Sequence, residues 1–518
     1  MSKQALDYMQ LAIRLFQCGD KNGALAVMDA WINEESDNSF AYCKRGLLFK
    51  TLRRFNEAID SLNKAVLIDP KNYEAFYERG DILQYHELFE QAMLDFNSVI
   101  SLQPNLSIGY EGLAEVQYAL GYLDEALVTV NHALGLSPEN SAAENLRYNL
   151  LLDLRKHETL LQESERSIKN NPKSPDAHTR YGKLLLHLRQ LEGSQAAFER
   201  ALELDGCFPA ARQGLANLFY QQGRWEEAYG INFTANFVSN TEFLKSFGKP
   251  IYTGEQQIAG KTVLIHAELG QGDTIQLCRF VSLVSQCGAN VILRVPKSLK
   301  RLLGTVEGVT QVLAFEEVTL PFDFICSTLA LPSIFRVRPS NVAFSSKPYL
   351  KIKSEWLEES PQLQLAAREK LRVGIVWAGG HSHYNYRRSV PLNKFLPLLQ
   401  MRNIEFLSLQ KGRPRNELSA ISDSLLIDIS TPIDDFADTA SLLIQMDLLI
   451  TVDTASAHVA GALGLPVWVL SRHDHPWLIG RHNNPWYSSM RMYTQNELGN
   501  WDEVIERIKS DLHALLHK

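Results

Sequence analysis

"AYCKRGLLFKTLRRFNEAIDSLNKAVLIDP" (residues 41–70) is followed by "AFYERGDILQYHELFEQAMLDFNSVISLQP" (75–104), the same pattern 34 residues on. In each, a small residue (Gly46, Gly80) precedes an alanine by twelve positions (Ala58, Ala92), and a proline (Pro70, Pro104) follows twelve later. The step extends outward in both directions. Ala24, Ala126 and Ala228 keep it, as do Gly182, Pro138 and Pro172, so repeats starting at 5, 39, 73, 107, 141, 175 and 209 fit one frame. Each repeat reads as a helical hairpin. The small residue lets the first helix approach the second, and the alanine does the same from the other side. The proline cannot continue a helix and turns the chain into the next unit. In the fifth repeat Tyr148 and Leu160 replace the small residues, and local distortion is expected there.

The period, register and residue types resemble the tetratricopeptide repeat. That resemblance implies an α-solenoid over residues 1–238, each unit buried only against its neighbours. Its concave groove would bind a protein or peptide, or a second copy of the chain. In the eukaryotic O-linked N-acetylglucosamine transferases an asparagine ladder lines such a groove. Here the ninth positions of repeats two to seven are Leu47, Asp81, Glu115, Asn149, Lys183 and Asn217, which form no ladder.

With 518 residues the chain has room for two to four domains. Hydrophobic residues make up 45% and charged residues 21%, as in ordinary globular protein. A net charge of -7 argues against a nucleic-acid partner. No apolar run approaches the roughly 18–20 residues of a transmembrane helix. The first residues lack the pattern of a signal peptide, so a cytoplasmic protein is expected. The six cysteines are scattered without CxxC pairs, which suggests neither a disulfide framework nor a zinc site.

From about residue 260 the pattern becomes strand–helix–strand. Short apolar runs rich in β-branched residues occur at 261–267, 289–295, 311–315 and 322–326, then at 371–377, 404–409, 447–452 and 466–471. Helical stretches between strands imply parallel sheets with crossover helices. The charged, strand-free segment 351–370 separates the two series. The expected architecture is therefore α + α/β. A solenoid is followed by two Rossmann-like domains, 239–355 and 356–518. Ligands of such sheets bind at the carboxyl ends of the strands. The last segment, "WDEVIERIKSDLHALLHK", reads as an amphipathic helix.

Four motifs sit at expected strand ends. In "HAELGQGDTIQLCRF" (266–280) Gly270 and Gly272 make a turn, and Asp273 and Thr274 open a helix. Asp273 either caps that helix or, with Glu268, faces the cleft as a general base. "WAGGHSHYNYRRSVPL" (377–392) follows a strand with Trp377, Gly379 and Gly380, then His381, His383, Arg387 and Arg388; such a loop suits a diphosphate. In "SLQKGRP" (408–414), Gln410 and Lys411 are candidates for a base or phosphate. "VDTASAHVAGALGLPVWVL" (452–470) begins a helix with Asp453, Thr454, Ser456 and His458. Asp453 or Thr454 caps it, and its N–H groups and dipole favour an anion. Ala455, Ala457, Ala460, Gly461 and Ala462 keep it slim.

The "GQGDTIQ" turn and the "VDTASAHVAGALGLPVWVL" segment resemble the bacterial heptosyltransferase superfamily. Together with the repeats, the chain resembles bacterial proteins that join a tetratricopeptide array to a glycosyltransferase region. The resemblance implies a GT-B fold and inverting transfer from a nucleotide-diphospho-sugar co-substrate, without a metal or other cofactor. It implies Asp273 as the base. Asp453, Thr454, Ser456 and the Arg387–Arg388 loop would contact the donor, although the heptosyltransferases carry lysine in that loop. Gly272, Trp377, Gly379, Gln410, Lys411 and His458 complete the expected donor side, with Glu268 beside the base. The alternative is a non-catalytic scaffold with a degenerate transferase domain.

Overall fold

The computed structural model describes residues 3–231, 243–268, 270–318, 320–337, 347–359, 370–380, 385–472, 484–497 and 499–517. Paired helices fill the first part at the 34-residue step. Ser39–Thr51 pairs with Phe55–Ile68, Tyr73–Tyr85 with Phe89–Leu102, and so on to Pro209–Gln222, after which 225–231 is helical again. The asparagine or serine before several first helices caps them. Asn38, Asn72, Asn140 and Ser174 accept from the N–H groups of Ala41, Ala75, Ala143 and Ala177. The expected close approach is present. A Cβ on Gly46 would lie 2.7 Å from Leu62 Cγ, and one on Gly182 would lie 2.9 Å from the Phe198 ring. Ala58, Ala92, Ala126 and Ala228 are fully buried.

The chain divides into two compact units, the first built on Met1–Leu160 and the second on Leu161–Gly380 and Arg387–Lys518. The fifth repeat keeps helices of 13 and 14 residues, the lengths of its neighbours, so Tyr148 and Leu160 do not shorten it. The sixth and seventh repeats belong to the second unit, with the sheets. One continuous core runs from Phe198, Ala216 and Trp225 to Val263, Ile265 and Val469.

The second unit holds two parallel sheets, the arrangement of a GT-B-type pair. β1 (Thr262–His266), β2 (Asn290–Val295), β3 (Val309–Ala314) and β4 (Phe324–Ser327) lie in the order β3-β2-β1-β4. β5 (Leu371–Val376), β6 (Ile404–Ser408), β7 (Ile427–Asp428), β8 (Leu448–Val452), β9 (Val467–Ser471) and β10 (Met490–Thr494) lie in the order β10-β9-β8-β5-β6-β7. All eight expected strands form. Strands covered on both faces read as near-continuous apolar runs, which is why they were legible. The edge strands β7 and β10 were not expected. β7 has two residues, too few for a pattern, and β10 ("MRMYT") carries no β-branched run. The terminal helix Asp502–Leu516 packs Val504, Ile508 and Leu512 against Ile375, Phe395 and Ile450 of the second sheet's own core.

In each sheet the first strand sits inside, and the chain winds outward from it to both edges. The first sheet therefore reverses between β1 and β4, and the second between β5 and β8. Crevices for ligands open at the carboxyl ends of such strand pairs.

Candidate functional site

At the β1–β4 reversal, Ser327 at the end of β4 donates its hydroxyl to the Glu268 carboxylate just beyond β1. The helix that follows runs Gln271–Leu277 with Gly270 as its N-cap. Asp273 is thus inside the first turn and is not the cap, and Thr274 donates its hydroxyl back to the Gly270 carbonyl at 3.0 Å. His266, the last residue of β1, is buried among Phe243, Phe247 and Phe315. Burial, helped by the Arg294 charge, lowers its pKa to about 4.

At the β5–β8 reversal, the helix Ala455–Leu463 starts from Thr454 in the N-cap position. Neither expected side-chain cap forms there. The Thr454 hydroxyl instead lies 3.1 Å from that of Thr451. Asp453 and Ser456 are half-buried beside it. Arg388 spans the reversal, with one guanidinium nitrogen 3.4 Å from the Asp453 carbonyl and another 3.4 Å from that of Gly380. Arg387 is half-buried and Gly379 buried next to it; His381 and His383 lie outside the described residues.

Two expected donor contacts are turned inward. Gln410 is 3% exposed, and its amide oxygen accepts the N–H groups of Trp377 (3.0 Å) and Ala378 (2.9 Å). Its amide nitrogen donates to the carbonyls of Ala378 and Lys411. Trp377 is fully buried, with its indole N–H on Glu417 at 3.2 Å. Both fix the loop after β5, because a buried amide with every polar atom engaged has nothing left for a ligand. Lys411 donates to the carbonyls of Ser430 and Ile433 and ties down the loop ahead of helix Phe436–Leu443.

The two reversals meet. A Cβ on Gly272 would lie 2.9 Å from His458 Cδ2 and 3.7 Å from Ala455 Cα, so a side chain here would have to displace the His458 ring. Asp273, Gln276, Asp453, Ala457, His458 and Trp486 line one cavity of about 60 Å³. His458 Nε2 is 3.8 Å from Asp453 Oδ1, and its Nδ1 is 3.1 Å from the Tyr487 hydroxyl. Burial pushes the Tyr487 phenol up, so it stays a neutral hydroxyl at physiological pH.

Sequence patterns did not single out the residues that brace this cavity. Arg279, 4% exposed, donates to the Trp486 and Gln276 carbonyls at 2.8 Å and stands over the rings of Tyr487, Tyr349 and Trp486. Trp486 stacks on Trp225 of the last repeat, with centroids 5.0 Å apart and planes 9° apart. Gly461 makes room for Tyr487: a Cβ there would lie 2.7 Å from the ring.

Comparison with known proteins identifies tetratricopeptide repeats at residues 41–72 and 182–230. The chain is 24% identical over 238 residues to the BBSome complex member BBS4 of Bos taurus, a match covering 44% of each chain. It thus spans less than half the length of that relative. Among solved structures, it is similar to a tetratricopeptide repeat protein from Parabacteroides merdae at 14% identity. That match has a TM-score of 0.40 and covers 47% of this chain and 97% of the other. It is also similar to a glycosyl transferase family 9 structure from Veillonella parvula at 11% identity. Here the TM-score is 0.39, with 51% of this chain and all of the other covered. Among the described residues, no helix is long and apolar enough to cross a membrane, and no group of three or more acidic, histidine or cysteine side chains is placed to hold a metal ion.

Proposed function

We propose that this chain is a glycosyltransferase that moves a sugar from a nucleotide-diphospho-sugar to a protein or glycan recruited by the repeats. The observation that carries the reading is the meeting of the two reversals. Asp273 from one sheet and Asp453 from the other share a cavity, with Arg388 and an uncapped helix start beside it. In a GT-B-type pair this is where donor and acceptor come together.

The donor lies on the second sheet. Arg387, Arg388, Thr454 and Ser456, with the N–H groups of helix Ala455–Leu463, take up charge on the diphosphate as it leaves. Gln410, Trp377 and Lys411 act one step back, by holding the loops. The acceptor oxygen attacks the anomeric carbon from the side opposite the diphosphate. The bond from that carbon to the diphosphate oxygen breaks, and Asp273 takes the acceptor proton, with Glu268 nearby. One displacement inverts the anomeric centre, and no metal is required where arginine and helix dipole offset the charge. The stacked Trp225 and Trp486 support delivery by the repeats, because they seat the last repeat against the cavity wall.

A thermal-shift screen against UDP-, GDP-, ADP- and CMP-linked sugars tests the reading without an acceptor, since a ligand of the native state raises its melting temperature. One nucleotide class should stabilise the protein, and Arg388→Ala should weaken that binding about tenfold or more, the loss of one charge-assisted contact. Asp273→Asn should keep donor binding and lose transfer. A chain that responds to no nucleotide is instead a scaffold.

A further inference from the structure

The first helices of repeats two to five share an inner face, because their side chains bond from one first helix to the next. Lys44 meets Glu74 at 2.7 Å, and Lys50 meets Glu78 and Asp81. Gln84 donates to Glu115 at 2.8 Å, and Tyr118 donates to Asp153 at 2.9 Å. Carboxylates therefore line this groove of the first unit, and both lysines sit on the earliest of these helices. The field inside is negative. Burial, and then the charges of Asp81, Glu111 and Glu78, push the Tyr77 phenol up to about 12 against the opposing charge of Lys50.

Part of the groove is a cavity of about 470 Å³ whose wall joins two chemistries. Asp81 and Glu115 bring carboxylates, and Phe55 and Tyr85 bring rings. Asp81 and Tyr85 stand one turn apart on the same helix, and Glu115 stands on the next first helix. The Asp81 side chain holds Lys50 at 2.6 Å yet is 45% exposed, and a carboxylate can accept more than one donor. Tyr85 is 58% exposed, with its ring 5.0 Å from that of Phe55. Lys50 also reaches the cavity but is engaged by two carboxylates. Arg53 and Glu87, at the same position of successive turns, offset one another there.

This wall selects its occupant by charge and shape. A carboxylate or phosphate meets repulsion. An apolar side chain covers the rings and leaves the acids dehydrated without a partner. A guanidinium answers both, since its plane stacks on an aromatic face and its fork of N–H groups matches a carboxylate.

We propose that this groove holds an extended, arginine-bearing segment of a partner protein, with a guanidinium stacked on Tyr85 and bonded to Asp81 or Glu115. The carboxylates on the neighbouring first helices meet further basic residues along the segment. In the transferase reading the partner is the acceptor, but the proposal does not depend on that reading.

The test measures fluorescence anisotropy of labelled peptides mixed with the full chain. The probes are repeats of Arg-Ala-Ser, Lys-Ala-Ser and Glu-Ala-Ser. The arginine peptide should bind most tightly, about tenfold or more above the glutamate peptide, and should weaken as salt is raised. Asp81→Asn with Glu115→Gln should weaken it about tenfold, the loss of two part-exposed ion pairs. Tyr85→Ala should bring the arginine peptide down to the level of the lysine peptide. Asp60→Asn with Asp124→Asn removes two exposed carboxylates from second helices and should leave the affinity unchanged. A glutamate peptide that binds as well as the arginine peptide overturns the proposal and needs no variant. An unchanged affinity in Asp81→Asn with Glu115→Gln, at an unchanged melting temperature, overturns the groove as the site. An equal loss in the second-helix variant does the same, because the peptide then responds only to net charge. The readout needs neither nucleotide nor transfer, so this proposal and the transferase reading fail separately.

Discussion

The turns between paired helices carry a testable irregularity. At the 34-residue step, Gly19, Arg53, Glu87, Gly121, Arg155, Arg189 and Gly223 all adopt the left-handed conformation, with φ between 55° and 85°. Glycine takes it freely. An L-residue brings Cβ against the following carbonyl, at a cost of about 1–2 kcal/mol. Glycine in turn loses roughly 0.5–1 kcal/mol more backbone entropy on folding. The difference predicts that Arg53→Gly stabilises the first unit by about 0.5–1 kcal/mol. Arg53 suits the test because it is exposed and its side chain makes no hydrogen bond or ion pair among the described residues. The reciprocal Gly121→Arg should destabilise by a similar amount, since a Cβ there meets nothing within 4 Å and only the backbone preference changes. Both positions lie in the first unit. The assay is urea unfolding followed by circular dichroism at 222 nm, reading the transition of that unit rather than fitting the whole chain as two-state. With a slope of about 2 kcal/mol/M, the midpoint should rise by roughly 0.3–0.5 M for Arg53→Gly and fall as far for Gly121→Arg. The double swap should return near the starting value, as distant sites add. A fall for Arg53→Gly, or shifts of the same sign in both variants, refutes the argument from φ.

Two further predictions concern the second unit. Arg279→Met leaves the buried Trp486 and Gln276 carbonyls without a charged donor. It should cost about 3 kcal/mol and weaken the near-ultraviolet signal of the stacked indoles; an unchanged melting temperature would show that Arg279 is not the brace. His266 makes stability fall in acid. Folded, it takes a proton only near pH 4, whereas the unfolded imidazole takes one near 6.5. Between those values the unfolded state binds more protons, so stability drops as pH falls through the window, by about 2 kcal/mol between pH 7 and pH 5. His266→Phe should flatten that part of the profile, and an equally steep loss in the variant would assign it to other groups.

The legible part of this protein is what one stretch of chain determines by itself. The 34-residue period, eight of the ten strands and the two strand-end turns could be read because helix spacing, β-branched runs and glycine turns are local properties of the backbone. The left-handed turns between the helices gave no consistent residue signal, since Arg53, Glu87, Arg155 and Arg189 take the conformation that Gly19, Gly121 and Gly223 take elsewhere in the array. What a polar side chain does at a strand end is not local. Gln410 looks like a ligand contact in sequence, yet it turns inward because the loop after β5 offers it two N–H groups from 32 and 33 residues away. Asp273 reads as either a cap or a cleft-facing acid, and only the fold decides between them: Gly270 starts the helix, and Asp273 comes to line the cavity. Arg279 gives no sign of its role until the Trp486 carbonyl arrives from 207 residues further on. The sequence by itself determined a solenoid followed by two parallel sheets. Tertiary structure alone decided that the two strand-end motifs form one cavity and that the last repeat stacks Trp225 on Trp486 of its wall. Local sequence sets backbone geometry, whereas the destination of a buried polar group is set by whichever distant partner meets its hydrogen-bonding need.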